Sequence, residues 1–467
     1  GQAQPARSAL RRAWALSAAA GWDARLPEVA LALGEVVDSA GSVDAELVRM
    51  LEHALARTAP GDRLGRIRLT ARLATELYWT PRLTEGRRRA ADAVAAARRL
   101  GDRRALAVAV AAQQFALRGP DDLRERTRLG EELVGAARDL GEEVLEVQAR
   151  RLLLADRLQT DRAAAQADLA GLDALAASTR RPLARWYVLV NRCVLAALAG
   201  DPAEALHLVR ETEELGRRLG AAPARMYGVG QRYALLRQQG CGARSEDELR
   251  AVAADYPRLA TLRCDLVLLL AEADRAEEAA PLLEQLVVDD CAAIPRDALW
   301  LASLCVLVLA AARLGRTQEL AVLERLLAPY AGRIALQGLA VWWGAVDHYL
   351  GCAYVGLGRL ECAESAHRRA LRLHHSWAAE PFVRLSQEAV TDVARRRAAD
   401  GGAGTGGLTG RERQVLRLLQ GGAANKQIAR ELGISVHTVE RHVTNLYAKI
   451  GARSRSQATA LGLAVHP

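Results

Sequence analysis

Glu440 and Arg441 stand side by side in Ser435-Val-His-Thr-Val-Glu-Arg-His-Val-Thr-Asn-Leu-Tyr-Ala-Lys-Ile450, and both can read a base edge. A guanidinium donates two hydrogen bonds to O6 and N7 of guanine, and a carboxylate accepts one from the amino group of cytosine. Val439, Val443, Leu446 and Ile450 recur at steps of four, three and four, the spacing of one side of a helix. His437, Glu440, Arg441 and Thr444 are thereby turned outward. Arg411, Lys426, Lys449, Arg453 and Arg455 form a ring of cations suited to phosphates. An acid in a polyanion's groove costs affinity unless it meets a donor. Glu440 therefore either reads sequence or holds Arg441 or a neighbouring basic side chain in place. Nothing about His437 or His442 argues for a pH switch.

These side chains need helices to carry them. Leu408-Thr-Gly-Arg-Glu412 sets a threonine three residues ahead of a glutamate, a capping box opening a helix with Val415, Leu418 and Leu419 inward. Gly421-Gly422 ends it. A second helix runs from about Asn425 to Leu432 and is closed by Gly433, and Ser435 caps a third. Two helices joined by so short a turn make a helix-turn-helix, whose second helix enters a DNA major groove. Charge agrees: the last 60 residues hold seven Arg and two Lys against Glu412, Glu431 and Glu440, a net of +6 out of the chain's +9. That asymmetry points to a polyanionic partner at the C-terminus.

In order and spacing, Leu408-Thr, Arg411-Glu412, Val415-Leu416, Gly422, Asn425-Lys426, Ile428-Ala429, Leu432, Ile434-Ser435, Thr438-Val439, His442, Asn445-Leu446, Lys449-Ile450, Arg455 and Ala458 resemble the C-terminal DNA-binding domain of LuxR-type transcriptional regulators. The resemblance implies that Lys426, Ser435 and Thr438 touch phosphates and that Glu440, Arg441 and Thr444 face base edges. It also implies a homodimer on double-stranded promoter DNA, with a fourth helix, about Ser454 to Ala464, supplying dimer contacts. Lysine is common in the family where Glu440 stands.

Ahead of this segment, residues 1–397 read as helix after helix with short Gly, Pro or Asp breaks. With 467 residues, two Phe and 4% aromatics, the chain is expected to be all-α, a helical solenoid followed by a small helix-turn-helix domain. The endings Arg98-Arg-Leu-Gly101, Arg138-Asp-Leu-Gly141 and Arg217-Arg-Leu-Gly220 recur at about 40 residues or twice that, with Ala177-Ser-Thr-Arg180 at the midpoint. Such a period marks stacked helix pairs. Leu350, Gly351, Tyr354, Gly358, Ala363 and Ala370 resemble a tetratricopeptide repeat, with Asp347 where a tryptophan is usual and His375 where a proline often ends the unit. Trp342 and Trp343, taken as neighbours on a helix, are expected to pack in a core. Ala398-Ala-Asp-Gly-Gly-Ala-Gly-Thr-Gly-Gly407 is expected to be a tether that cannot hold a helix. Residues 408–467 then form the DNA-binding domain.

Lysine occurs only at Lys426 and Lys449, so no phosphate-binding loop of the G-x-x-x-x-G-K-[ST] type exists in this chain. Neither catalysis nor a cofactor or metal is expected; His374 and His375, being adjacent, do not suit a shared metal. The seven cysteines lack a C-x-x-C pair, and no apolar run of membrane length or secretory signal is present, which leads to the expectation of a cytoplasmic protein. Joined to the repeats, the terminal segment resembles the C-terminal half of the large ATP-binding LuxR-type regulators. The opening Gly1-Gln-Ala without methionine fits a fragment of a longer protein. The expectation is a sequence-specific transcriptional activator whose repeat region receives a small effector or protein, with an RNA polymerase contact. The alternatives are a helical-repeat scaffold and part of an ATP-driven switch whose ATPase domain is absent from this chain.

Overall fold

The computed structural model describes residues 3–36, 41, 43–221, 223–403, 410–452 and 454–458. It divides into two compact units, Gly1–Gln387 and Glu388–Pro467.

In the first unit the recurring Arg-x-Leu-Gly endings are helix C-termini. Helices Leu83–Leu100, Leu123–Leu140, Arg162–Thr179 and Pro202–Leu219 are each 18 residues long. The next residue in each case, Gly101, Gly141, Arg180 and Gly220, has φ of 76°, 66°, 50° and 65°. Left-handed backbone ends a helix by turning its last carbonyls onto following amides, and glycine enters it without a Cβ penalty. Helices Arg103–Ala116, Glu143–Arg157, Pro182–Ala199 and Ala224–Gln238 alternate with these, each packed on its neighbours in the chain. Alanine makes the seams close: Ala90, Ala97, Ala109 and Ala149 are fully buried.

The divergent repeat is the helix pair Val346–Gly356 and Leu360–Ser376. Ala363 and Ala370 have no exposed surface, and a Cβ on Gly351 would lie 2.4 Å from Cε1 of His367, so the two helices touch backbone to ring. Asp347 is buried and salt-bridged to Nε of Arg369 at 2.6 Å, and it also accepts a hydrogen bond from the Gly332 amide. His374 is buried, accepting from the Ala345 amide at 2.9 Å, while its neighbour His375 is exposed.

Two expectations are corrected. The tryptophan pair does not lie on a helix: Ile334–Gln337 (β1) and Val341–Ala345 (β2) form an antiparallel hairpin whose strand residues are all buried. Successive strand side chains face opposite ways. Trp342 therefore meets Phe382 with ring centroids 4.9 Å apart, while Nε1 of Trp343 donates to Gln337 at 2.7 Å. Both rings are core, as expected of them. A buried hairpin needs partners for its backbone. Gln231 donates to the Ala340 carbonyl at 3.0 Å, and the Tyr349 hydroxyl donates to that of Trp343. Trp342 Nε1 and the Gln337 side chain reach Leu158 and Thr261 of the surrounding helices.

The second correction concerns the tether. The helix Glu380–Ala403 continues across Ala398–Ala403 into the glycine-rich run. Extending a helix already nucleated over the preceding residues costs only about 1 kcal/mol per glycine, with no nucleus to form. Thr409, the expected cap of the following helix, lies outside the described residues, as do Arg453 and residues 404–409.

Candidate nucleic-acid interface

Three helices, Gly410–Gln420, Asn425–Leu432 and Val436–Ile450, enclose a small apolar centre. Val415, Leu419, Ile428, Val439 and Leu446 are its innermost side chains, with Val443 and Ile450 packed at its edge. The four-three-four spacing thus fixes the inner side of the third helix, and Glu440, Arg441 and Thr444 are exposed on the other. Gly433 ends the second helix at φ 64°, and Ser435 caps the third by accepting from the Thr438 amide at 3.1 Å. Its hydroxyl also lies 2.8 Å from that of Thr438.

The cap separates two roles for Ser435. Ser435→Ala is expected to lower the melting stability of DNA-free protein by about 1 kcal/mol. Ser435→Asp should keep that stability, since aspartate caps equally well, and weaken DNA binding by placing a carboxylate among phosphates. If the aspartate variant bound DNA as well as the parent, Ser435 would not be near the backbone of the duplex.

The cations of the expected basic ring have different surroundings in the structure. Nζ of Lys449 lies 2.8 Å from Oε2 of Glu412, whose side chain is only 3% exposed. Arg411 donates to the Leu432 carbonyl at the C-terminal end of the second helix, where a cation is favoured by the helix dipole, and to Gln414 at 2.8 Å. Arg455 donates to the Ala423 carbonyl and reaches Asn425 Oδ1 at 3.4 Å. These three cations tie the domain's own helices together. Lys426 is exposed, and Arg430, one turn further along the same helix and also exposed, joins it on one stripe. The i, i+4 spacing carried that signal, although Arg430 is absent from the sequence expectation.

Glu440 and Arg441 do not pair with each other in the structure. Consecutive helical residues diverge by about 100°, so their side chains do not face one another. Oε2 of Glu440 lies 3.9 Å from Nδ1 of His437, largely in solvent. Thr444 donates its hydroxyl to the Glu440 carbonyl at 2.9 Å. The outer side of the third helix therefore offers a carboxylate and a guanidinium, and among the described residues neither is tied to another helix as Lys449 and Arg411 are.

Residues 407–461 match the family model described as bacterial regulatory proteins, luxR family. Over 54 residues this part of the chain is 46% identical to the HTH-type transcriptional regulator MalT of Yersinia pestis, 12% of this chain and 6% of that protein. Over 53 residues it is 47% identical to the CsgBAC operon transcriptional regulatory protein of Escherichia coli K12, 11% of this chain and 24% of that protein. The chain thus spans only a small part of the length of the relatives it matches. The chain carries, at its C-terminus, a helix-turn-helix domain of the luxR family of bacterial regulatory proteins.

Proposed function

We propose that the chain is a sequence-specific transcription regulator that lays the helix Val436–Ile450 in the major groove of double-stranded DNA. The observation that carries this reading is the division of that helix: an inner apolar side locked into the domain, and an outer side on which Glu440, Arg441 and Thr444 are exposed. In this reading Arg441 takes guanine, Glu440 accepts from a cytosine amino group, and Lys426, Ser435 and Thr438 hold phosphates. Lys449, Arg411, Arg453 and Arg455 add positive potential.

The remaining parts of the proposal rest on analogy with LuxR-type regulators. The chain binds as a homodimer, acts as an activator in contact with RNA polymerase, and works in the cytoplasm without a cofactor or catalysis. The first unit receives an effector or partner; no helix among the described residues is long and apolar enough to cross a membrane.

Selection of bound sites from a random duplex pool tests the reading. One preferred sequence should emerge, and Lys426→Ala should weaken all sequences alike while lowering the slope of log affinity against log salt by about one. A pool that shows no enrichment over bulk competitor at moderate salt would overturn the proposal in favour of a scaffold acting through protein partners.

A further inference from the structure

Thr444 stands on the outer side of Val436–Ile450, exposed and one turn beyond Glu440 and Arg441. A threonine can offer a duplex a hydroxyl proton, the lone pairs of the same oxygen, or a methyl group. The structure commits the proton. The hydroxyl donates to the Glu440 carbonyl at 2.9 Å, a bond inside one helix that does not depend on how the domain meets a partner. Such back-bonding turns the oxygen toward the helix's own backbone. The two heavy atoms on a β-branched Cβ occupy separate staggered positions, so the methyl is the branch left for a partner.

To donate to guanine, or to O4 of thymine, Thr444 would exchange one made hydrogen bond for another, with little net gain. A methyl set against the C5 methyl of thymine gives up nothing and takes both groups out of water. We propose that Thr444 selects thymine, by contact of its methyl group with the C5 methyl in the major groove. The inference rests on the reading of Val436–Ile450 as the helix laid in that groove, and it adds a base to the sequence the helix selects. Helical residues three apart are separated by about 4.5 Å along the axis, and successive bases of one strand by about 3.4 Å. The thymine therefore lies within about two base pairs of the guanine taken by Arg441.

The test uses the full chain and the duplex that emerges from selection of bound sites. Each thymine near that guanine is replaced in turn by deoxyuridine, which removes the C5 methyl and leaves every hydrogen-bonding group of the base in place. Two substitutions divide the side chain: Thr444→Val keeps the methyl without the hydroxyl, and Thr444→Ser keeps the hydroxyl without the methyl. The position is exposed, so neither threatens the fold.

At one thymine the parent should lose about fourfold in affinity on the change to uracil, the worth of one buried methyl. Thr444→Val should keep that penalty, and Thr444→Ser should bind thymine and uracil alike there. A penalty that persists in the serine protein, or vanishes in the valine protein, overturns the proposal. Indifference of the parent to uracil at every thymine near that guanine overturns it too, as does a selected site with no thymine there. Those results leave the regulator standing and remove only the thymine contact, whereas a pool from which no preferred sequence emerges removes the regulator itself.

Discussion

Lys449→Met is expected to destabilise the terminal helices by about 3 kcal/mol, the low end for removing one partner of a buried ion pair, because Lys449 itself is 36% exposed. The substitution keeps the length of the side chain but strips from the buried Glu412 one of the partners that offset its burial. A unit of this size has a total stability on the order of 5 kcal/mol, so the loss is more than half. Amide hydrogen exchange in the full chain should show faster exchange across Gly410–Gln420, Asn425–Leu432 and Val436–Ile450, with no change in the helices of the first unit. Glu412→Gln in the same chain should restore much of the loss, since a neutral amide needs no cation. If Lys449→Met instead leaves exchange unaltered and only lowers the salt slope of DNA binding by about one, Lys449 is a phosphate contact and its tie to Glu412 is incidental.

Arg441→Ala should behave in the opposite way. The side chain is exposed, so stability should stay within about 0.5 kcal/mol of the parent. What should fall is discrimination, by about 1 to 3 kcal/mol at one base pair, the measured range for a bidentate arginine on guanine. Affinities for the selected site and for its single-base variants, taken at fixed salt, give the answer. The parent should reject the variant at the contacted guanine by roughly 5- to 150-fold, and the alanine protein should not. A loss spread evenly over all sequences would move Arg441 from the base edge to the backbone.

The ends of helices were the most legible part of the chain. Gly433 and Ser435 mark where the second helix stops and the third begins, and the structure places both caps at those residues. The Arg-x-Leu-Gly endings worked for the same reason: left-handed backbone is a local demand that a single residue type satisfies. Which side of Val436–Ile450 points inward was also readable, because spacing fixes side. Spacing does not fix partners. Lys449, Arg411 and Arg455 were expected at a phosphate ring, yet their contacts depend on how three helices meet, with separations of 37, 21 and 32 residues. The hairpin was illegible for another reason. A strand buried on both faces has no polar alternation, and Val341-Trp-Trp-Gly-Ala345 is too short for its composition to outweigh the helical surroundings.

That hairpin changes how the first unit should come together and come apart. In an array whose members meet only their neighbours, an end can be trimmed or can fray while the middle persists, and assembly can begin anywhere. Here Trp342 bonds a carbonyl 184 positions earlier in the chain, and Ala340 is tied to Gln231 across 109. Contacts so remote in sequence require large loops to close before they reward the chain, which slows folding. They also bind distant members into one cooperative block, so that losing Ile334–Ala345 loosens helices more than a hundred residues upstream rather than those beside it alone.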